Sequence, residues 1–502
     1  MRPEENNLDD WNQLFCHDLP SDPVPEIGTV LVTGASGYIG GRLVPELLAR
    51  GYRVRIMVRS YLPEYEKQFP GCEVAVADAM KEKTLDAALE GVTAAYYLIH
   101  SLLLGPEKFA RADREAASNF RRAAERQNVS RIIYLGGLGD VAARLSPHLR
   151  SRIEVAEELR SGEVEVTILR AAVIIGSGSA SYEIIKNLVM KVPVFVLPRG
   201  ARSRCQPISI RDVIKYLVGV LEVDKTSGRT FDIGGDEVMT YLEMLRKTAS
   251  VLQKKRFFIQ FQIFNISIYS YFVSLLTPVP GPITRCLLEG IKNDVVCRED
   301  SIKSYLDFPA IEFEEAILRA LSREEQDRVR TRWSNAYPPS HELAMKLDEL
   351  ENEPEYSARY GISSEKSSEH LFRSLCRVGG AEGWFHNNWL WRIRGAIDRI
   401  FMGVGTSRGR RESASLGPHD VIDFWRVEKL ERNSKMLLRA EMKLPGMAWL
   451  DFNIDDRGDT RRLTITAWYH TTSFFGKIYW YFFYPFHHFI FKGLIEQIEK
   501  RS

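Results

Sequence analysis

The chain has 502 residues, of which 45% are hydrophobic and 27% are charged, and its formal net charge is +2. A chain of this length exceeds one ordinary core, so we expect two or three domains. The near-neutral charge argues against a general nucleic-acid binder. The six cysteines form no CxxC pair, which excludes a zinc ribbon and a disulfide framework, and we predict no metal site.

The amino-terminal stretch is acidic, contains prolines and lacks the apolar core of a signal peptide. We interpret residues 1–26 as a flexible arm. Scattered cysteines are typical of a reducing compartment, so we expect a cytoplasmic protein, with peripheral contact at the inner membrane left open.

Three glycines spaced three apart follow an apolar, β-branched run near the start of the chain. Residues 30–33 predict a strand and residues 42–50 a helix, with the glycines in the turn between them. Such a turn brings the backbone close to a pyrophosphate at the positive end of a helix dipole. The sequence therefore predicts a dinucleotide site that includes Gly34, Ser36, Gly37, Tyr38, Ile39 and Gly40.

From residue 30 to about residue 236, short apolar runs alternate with helical segments, which predicts an α/β domain with a Rossmann-type, doubly wound parallel sheet. Arg59 and Ser60 follow the second strand, where an acidic residue would favour NAD. Arg59 suits the 2′-phosphate of NADP instead, so NADP is favoured over NAD, although a solvated loop arginine is the alternative. The remaining predicted cofactor residues follow the third, fourth and fifth strands: Asp78, Ala79, Leu98, His100 and Leu135.

The segments TGASGYIG, YYLIHS, LRAAVIIGSGS and QPISIRDV resemble the atypical, NmrA-like branch of the short-chain dehydrogenase/reductases. The resemblance implies a NAD(P)-binding Rossmann domain at residues 27–335, with a small substrate-side portion at about 240–335. In catalytic members, a Ser or Thr after the fifth strand and a Tyr-x-x-x-Lys motif on the next helix carry the chemistry.

This sequence departs from that catalytic pattern. The serine position reads as glycine in the run from Tyr134 to Gly137, and His148 and Arg152 stand at the Tyr and Lys spacing. In one interpretation His148 is a general acid/base and Arg152 fixes the nicotinamide ribose. In the other, which we favour, the site binds the cofactor without ordinary ketoreduction. Tyr182 and Lys186 match the motif but follow the sixth strand, so we do not assign them the chemistry.

Residues 257–284 carry no charge and are rich in aromatic and aliphatic side chains. Polar residues and three prolines within this segment argue against a spanning helix. We predict a helix that packs in the cleft or lies in a membrane interface, and the sequence does not decide between them. Residues 336–368 read as a polar connector.

Residues 369–502 predict a second, α+β domain. We expect a strand at residues 371–378, a helix around Trp389, four antiparallel strands between residues 421 and 469, and a closing helix from about residue 486. This order suggests a helix-grip (START/SRPBCC-like) fold with an apolar cavity lined by strands that carry Trp425, Trp449 and Trp468. A filled aromatic core is the competing interpretation.

The segments GGAEGWFHNNWLWRIRGAIDRI and VIDFWRVE resemble the uncharacterised DUF2867 domain that follows an NmrA-like domain in many bacterial proteins. Two functions remain open. One is an NADP(H)-dependent oxidoreductase for a hydrophobic small molecule that the second domain helps to hold. The other is a catalytically disabled protein that senses NADP(H), or that handles a lipid or an assembly partner. The expected partners are a hydrophobic or lipid-like ligand and, at the periphery, a membrane.

Overall fold

The computed structural model describes residues 14–59, 61, 64–100, 106–139, 146–261, 265–325, 345, 347–350, 352–380, 382–401, 403–405, 416–417 and 420–502. The chain forms two compact units. The first, here called the N-terminal unit, comprises Met1–Phe264 and Cys286–Ser322, and the second, the C-terminal unit, comprises Asn265–Arg285 and Arg323–Ser502.

The N-terminal unit alternates strands and helices, as predicted. Its strands are β1 (Thr29–Thr33), β2 (Arg53–Val58), β3 (Glu73–Val76), β4 (Val92–Tyr97), β5 (Arg131–Gly137), β6 (Glu165–Ala171), β7 (Ile174–Ile175), β8 (Val194–Leu197), β9 (Arg204–Cys205), β10 (Ile208–Ser209), β11 (Thr230–Ile233), β12 (Met239–Thr240) and β13 (Phe257–Gln260). Its first eight helices are α1 (Gly40–Ala49), α2 (Glu64–Gln68), α3 (Glu82–Leu89), α4 (Pro106–Arg126), α5 (Pro147–Arg160), α6 (Ala180–Lys191), α7 (Ile210–Glu222) and α8 (Tyr241–Val251).

Seven parallel strands form the main sheet in the order β11-β6-β5-β4-β1-β2-β3. Side chains alternate across it, because Val30 and Val32 of β1 enter the core on one face and Leu31 enters the core on the other. Helices α1 and α7 contribute to the first core, and α3, α4 and α5 to the second. Burial on both faces is what a parallel sheet requires, and the predicted Rossmann-type sheet is confirmed.

Residues 14–26, which we expected to be part of a flexible arm, are held against α1 and α7. The backbone N–H groups of Phe15 and Cys16 donate to the Glu46 carboxylate at 3.0 and 3.1 Å. Lys215 of α7 forms a salt bridge with Asp18 at 2.8 Å. The first 13 residues of that predicted arm lie outside the described part.

Residues 257–284 form three elements rather than the one helix that we predicted. Strand β13 pairs in parallel with β8, and α9 (Ile266–Leu276) and α10 (Gly281–Gly290) follow. The Asn265 side chain accepts from the N–H groups of the first turn of α9, so it starts a new helix there. Helix α11 (Phe313–Glu325) comes next. In the described part of the chain, no helix is both long and apolar enough to cross a bilayer.

The C-terminal unit contains α9 and a second sheet. Its other elements are β14 (Tyr356–Ser364), α12 (Ser368–Leu375), α13 (Asn388–Ile400), β15 (Val421–Ile422), β16 (Trp425–Glu431), β17 (Lys435–Ala440), β18 (Met447–Asp456), β19 (Arg461–His470) and α14 (Phe474–Lys500). The six strands are antiparallel, in the order β14-β19-β18-β17-β16-β15.

Three boundaries differ from the sequence-based predictions. Strand β14 lies inside the predicted connector and pairs along its whole length with β19. Helix α12 replaces the predicted strand at residues 371–378, since Leu371 and Leu375, four residues apart, are both buried on one helix face. Helix α14 begins twelve residues before the predicted position and continues through Pro485.

The apolar face of the C-terminal sheet packs against α14, whose buried residues join one core with Leu438 and Leu450. Trp425 pairs with Ala440, whereas Trp449 pairs with Arg439 and with Trp468, so Trp425 lies on the apolar face and the other two lie on the opposite face. The three indole side chains therefore do not share one face of the sheet, and the cavity itself stays a prediction.

Candidate cofactor site

The parallel strands β1 to β5 all end at one edge of the main sheet, which places the predicted site residues together. Thr33, the last residue of β1, fixes this edge through its hydroxyl group. That group donates to the carbonyl oxygen of Tyr96 at 3.0 Å and accepts from the backbone N–H of Leu98 at 2.9 Å. The ends of β1 and β4 are therefore held side by side, as a dinucleotide crevice requires.

The predicted glycine turn is tight and admits no side chains. Gly34 has a φ of +64°, and its carbonyl oxygen accepts from the N–H of Gly37 at 2.9 Å. A Cβ atom at Gly40 would lie 2.4 Å from that same carbonyl oxygen. Among the described residues, no side chain caps the first turn of α1. The N–H groups of Gly41 and Arg42 in this turn donate to the carbonyl oxygens of Gly37 and Ile39, both at 3.0 Å. The N-cap residue Ile39 brings no carboxylate that would repel a pyrophosphate there.

Arg42 holds the backbone of the glycine turn in place, a role that the sequence did not suggest. Its guanidinium group is buried, donates to the carbonyl oxygens of Tyr38 at 3.1 Å and Ser177 at 2.9 Å, and lies 4.2 Å from the centre of the Tyr38 ring. These contacts fix the backbone of Tyr38. They explain why an arginine occupies the first turn of a helix that would otherwise favour acidic residues.

The residues after β2 and β3 lie at the same edge. Arg59 directly follows β2 and is half-buried, whereas Ser60 lies outside the described residues. Asp78 Oδ1 accepts from the N–H of Met80 at 3.0 Å, and Asn119 of α4 donates to the carbonyl oxygen of Ala79 at 2.9 Å. The loop that holds Asp78 and Ala79 is therefore set by its own turn and by α4.

Leu98, His100 and Leu135 stand at or beyond the ends of β4 and β5, as expected. Burial of the imidazole, and then the charge of Arg152, hold the pKa of His100 well below its ordinary value. His100 therefore lies near enough to Arg152 for that charge to act on it.

His148 and Arg152 lie on the first two turns of α5, whose N-cap is Ser146. Burial, and then the charge of Arg152, lower the pKa of His148 to about 3. At neutral pH the imidazole is thus uncharged and offers one N–H donor and one acceptor. The interpretation of His148 as a general acid with an ordinary pKa is not supported, whereas its position beside Arg152 is as predicted.

A side chain at Gly136 or Gly137 would fit tightly. A Cβ atom at Gly136 would lie 3.1 Å from the Tyr134 ring, and one at Gly137 would lie 3.1 Å from Leu149. These neighbouring side chains would have to shift by a few tenths of an ångström to admit it. Sequence and structure agree that the usual serine is absent.

Asp113 of α4 is a further buried charge near these residues, and no sequence pattern indicated it. Its side chain is buried and lies near Tyr97, whose pKa is raised well above the ordinary value, first by burial and then by this carboxylate. The Asp113 carboxylate also contributes, after burial, to the raised pKa of Tyr134. It contributes, after Tyr134, to the raised pKa of Arg152. Helix α4 is so rich in charges that one buried carboxylate cannot be distinguished from a solvated helix face by sequence.

Tyr182 and Lys186 occur elsewhere, on α6. Tyr182 is completely buried, and Lys186 forms a salt bridge with Glu183 at 3.1 Å. A buried phenol whose lysine is held by a carboxylate is a poor proton donor. That this motif has no catalytic role stays a prediction.

Comparison with known protein families decides the domain composition. The NAD(P)H-binding family NAD_binding_10 matches residues 34–191, and the DUF2867 family of unknown function matches residues 352–494. The chain joins an NAD(P)H-binding domain to a DUF2867 domain. The predicted resemblance is confirmed in both parts, and the DUF2867 match includes β14, which we had expected to be a connector.

Curated relatives match the NAD(P)H-binding part of the chain. The photosystem II assembly factor Ycf39 of Trieres chinensis is 21% identical over 209 residues, which is 42% of this chain and 64% of the relative. The divinyl chlorophyllide a 8-vinyl-reductase of Zea mays is 26% identical over 252 residues, which is 47% of this chain and 62% of the relative. The chain thus spans less than two thirds of these relatives.

Among solved structures, the triphenylmethane reductase of Citrobacter sp., complexed with NADP(H), is 18% identical, with a TM-score of 0.48. The match covers 58% of this chain and 99% of that one.

The NAD(P)H-binding domain offers a site that fits its cofactor. The glycine turn and the uncapped α1 would hold the pyrophosphate, Arg59 and the loop of Asp78 lie at the end for the adenosine half, and His100, His148 and Arg152 lie on the side of β4 and β5. This is the division of the cleft that a doubly wound sheet produces.

Proposed function

We propose that this protein is an NADP(H)-dependent oxidoreductase that acts on a hydrophobic small molecule. The observation that carries the proposal is the glycine turn at Gly34–Gly40, which leads into the uncapped helix α1 within the NAD(P)H-binding domain. Arg59 at the end of β2 supports the choice of NADP, because a guanidinium pairs with a phosphate through charge-assisted hydrogen bonds.

The residues of the chain would divide the work along the cleft. Bound NADPH would supply a hydride. Arg152 would fix the nicotinamide ribose in the manner of the usual lysine, and the neutral imidazole of His148 would donate an N–H hydrogen bond to a substrate oxygen. Solvent water would then supply the proton that the reduced oxygen takes up. Asp113, close to Arg152, would position that guanidinium group.

A second candidate is a protein that binds NADP(H) without reducing anything. It is favoured by the glycines at positions 136 and 137, which leave out the usual serine, and by the low pKa of His148, which leaves no ready proton donor at neutral pH. The named relatives include both a reductase and an assembly factor, so they support either candidate.

NADPH consumption separates the two candidates. We would first measure NADPH binding by fluorescence and then follow NADPH oxidation with a long-chain enal, a quinone and an alkyl ketone. The oxidoreductase proposal expects at least one of these to accelerate oxidation, and Arg152→Ala to weaken NADPH binding. Tight NADPH binding without any acceleration would favour the second candidate, and absence of binding would contradict both.

We further propose that the C-terminal unit is of the helix-grip type and helps to hold the hydrophobic molecule. The antiparallel sheet with α14 across its apolar face supports this. However, Trp384 stacks on Trp391 at a centroid distance of 4.3 Å, and Trp425 packs beside Trp384. If farnesol or a fatty acid binds inside this unit, these rings must move, and their fluorescence should change on titration with that probe. Unchanged fluorescence would mean that they simply fill the core.

A further inference from the structure

Three helices of the C-terminal unit turn apolar side chains outward. On α13, Trp389, Ile393, Ile397 and Ile400 recur every three or four residues and are between 41% and 60% exposed. Helices α9 and α14 carry similar stripes. We call the set of these exposed side chains the outer helical face; it comprises Ile268, Phe272, Leu276, Trp389, Ile393, Ile397, Ile400, Phe401, Phe474, Phe475, Ile478, Tyr481, Phe482, Tyr484, Phe486 and Phe489.

Helix α13 contacts both α9 and α14, which links the three stripes of the outer helical face. Tyr271 of α9 donates to the carbonyl oxygen of Ile400 on α13 at 3.1 Å. Arg399 of α13 donates to the carbonyl oxygens of Ser274 and Thr277, at the end of α9. On the other side of α13, the Arg394 guanidinium lies 5.2 Å from the centre of the Tyr479 ring of α14.

The exposed charges on α13, and on α14 as far as Lys492, are positive. Arg392, Lys477 and Lys492 are exposed. Helix α9 has no charged residue, the only carboxylate of α13 is the buried Asp398, and α14 has no acidic residue before Glu496. An apolar, aromatic surface with cations and no exposed carboxylate complements a layer of anionic headgroups above an apolar phase.

We propose that the outer helical face docks the protein onto an anionic lipid surface. Phe, Tyr and Trp are the side chains enriched at membrane interfaces, and exposed apolar surface of this extent is rare in monomeric soluble proteins. Helix α14 lies in the interface plane rather than across the bilayer, because Lys477 and two histidines interrupt its apolar run. This proposal is independent of the reaction proposed above.

Flotation of the full chain with vesicles tests the docking. We expect the wild type to float with vesicles of 30% phosphatidylglycerol in phosphatidylcholine and to bind pure phosphatidylcholine at least tenfold more weakly. The double variant Phe475→Glu/Phe482→Glu should lose at least tenfold in binding to the anionic vesicles. The matched control is Leu318→Glu, which charges an exposed apolar side chain of α11 in the N-terminal unit and should bind as the wild type does. Equal binding to both vesicle types, or to neither, would overturn the proposal.

Trp389 provides a probe that needs no charge substitution. Because this indole is 60% exposed, bromine-labelled lipids should quench it, and the extra quenching should disappear in Trp389→Phe, which leaves folding intact. Equal quenching of the wild type and Trp389→Phe would contradict the proposed contact. A wild-type dimer that Phe475→Glu/Phe482→Glu converts to a monomer would assign the face to a second copy of the chain and also overturn the proposal.

Discussion

Aromatic and charged side chains lie in contrasting places at two sites, one in each unit. In the N-terminal unit, aromatic residues such as Phe120 and Tyr97 pack inside the sheet–helix core, and the polar groups gather at the carboxyl edge of the sheet. In the C-terminal unit, Phe475 and Phe482 face solvent, while Arg426 and Arg439 are buried against the sheet.

This difference separates two tasks. Burial of apolar groups stabilises the N-terminal unit and leaves its polar edge for a charged cofactor. The exposed apolar groups of the C-terminal unit contribute little to its stability and lower its solubility. An exposed apolar surface of this kind therefore indicates a site that binds a partner. Truncating one phenylalanine in each unit and measuring the free energy of unfolding therefore compares the two units most directly.

Phe120→Ala should cost about 3–5 kcal/mol in the free energy of unfolding, since the ring is fully buried and lies 5.1 Å from the centre of Tyr97. Phe482→Ala, which truncates a side chain that is 66% exposed, should change it by less than about 0.5 kcal/mol. Denaturant unfolding measures both. Similar losses for the two variants would mean that the outer helical face is part of a core.

Gly40→Ala should weaken NADPH binding by more than about a hundredfold, or about 2.7 kcal/mol, because the added methyl group would lie 2.4 Å from the Gly34 carbonyl oxygen. Gly290→Ala is the control, since nothing lies within 4 Å of its new methyl group. Calorimetric titration with NADPH gives both dissociation constants. Unchanged affinity in Gly40→Ala would place the cofactor elsewhere.

Acid should destabilise the protein through His148. Above about pH 6.5 this imidazole is neutral whether the chain is folded or unfolded. As the pH falls towards 3, the unfolded chain takes up a proton that the folded one does not, so the free energy of unfolding decreases, by about 2 kcal/mol after allowance for partial exposure. His148→Gln should flatten the pH profile by this amount. A profile that does not change would mean that His148 is protonated in the folded protein.

Arg59→Ala should reduce the preference for NADPH over NADH by about tenfold or more, because a charge-assisted contact with the 2′-phosphate contributes about 1.5–3 kcal/mol. Arg53→Ala, at the exposed opposite end of β2, should leave the preference unchanged. Equal dissociation constants for the two cofactors in the wild type would contradict the role of Arg59.

The sequence predicted the parts of the fold and of the site that depend on residues close together in the chain. The alternation of strands and helices and the glycine turn follow from apolar runs and spacing, and the sequence predicted both. Both matched families were likewise evident from contiguous segments.

The features that the sequence did not predict depend on contacts between residues that are distant in the chain. Strand β14 is polar, and only its pairing with β19 makes it a strand. Asp113 and Arg42 become site residues through neighbours that are distant in the chain. The pKa of His148 depends on burial, which no spacing reveals. The exposure of the apolar stripes on α13 and α14 was equally hidden, since a helical apolar period normally indicates a buried face.

Hydrogen exchange of the full chain, recorded with NADPH and separately with phosphatidylglycerol vesicles, tests the division of tasks most directly. We predict that NADPH slows exchange at residues 34–41 and 98–100 and leaves α13 and α14 unchanged. Vesicles should do the converse, slowing exchange in α9, α13 and α14 only. Protection of the same segments by both ligands, or NADPH protection confined to the C-terminal unit, would contradict the account.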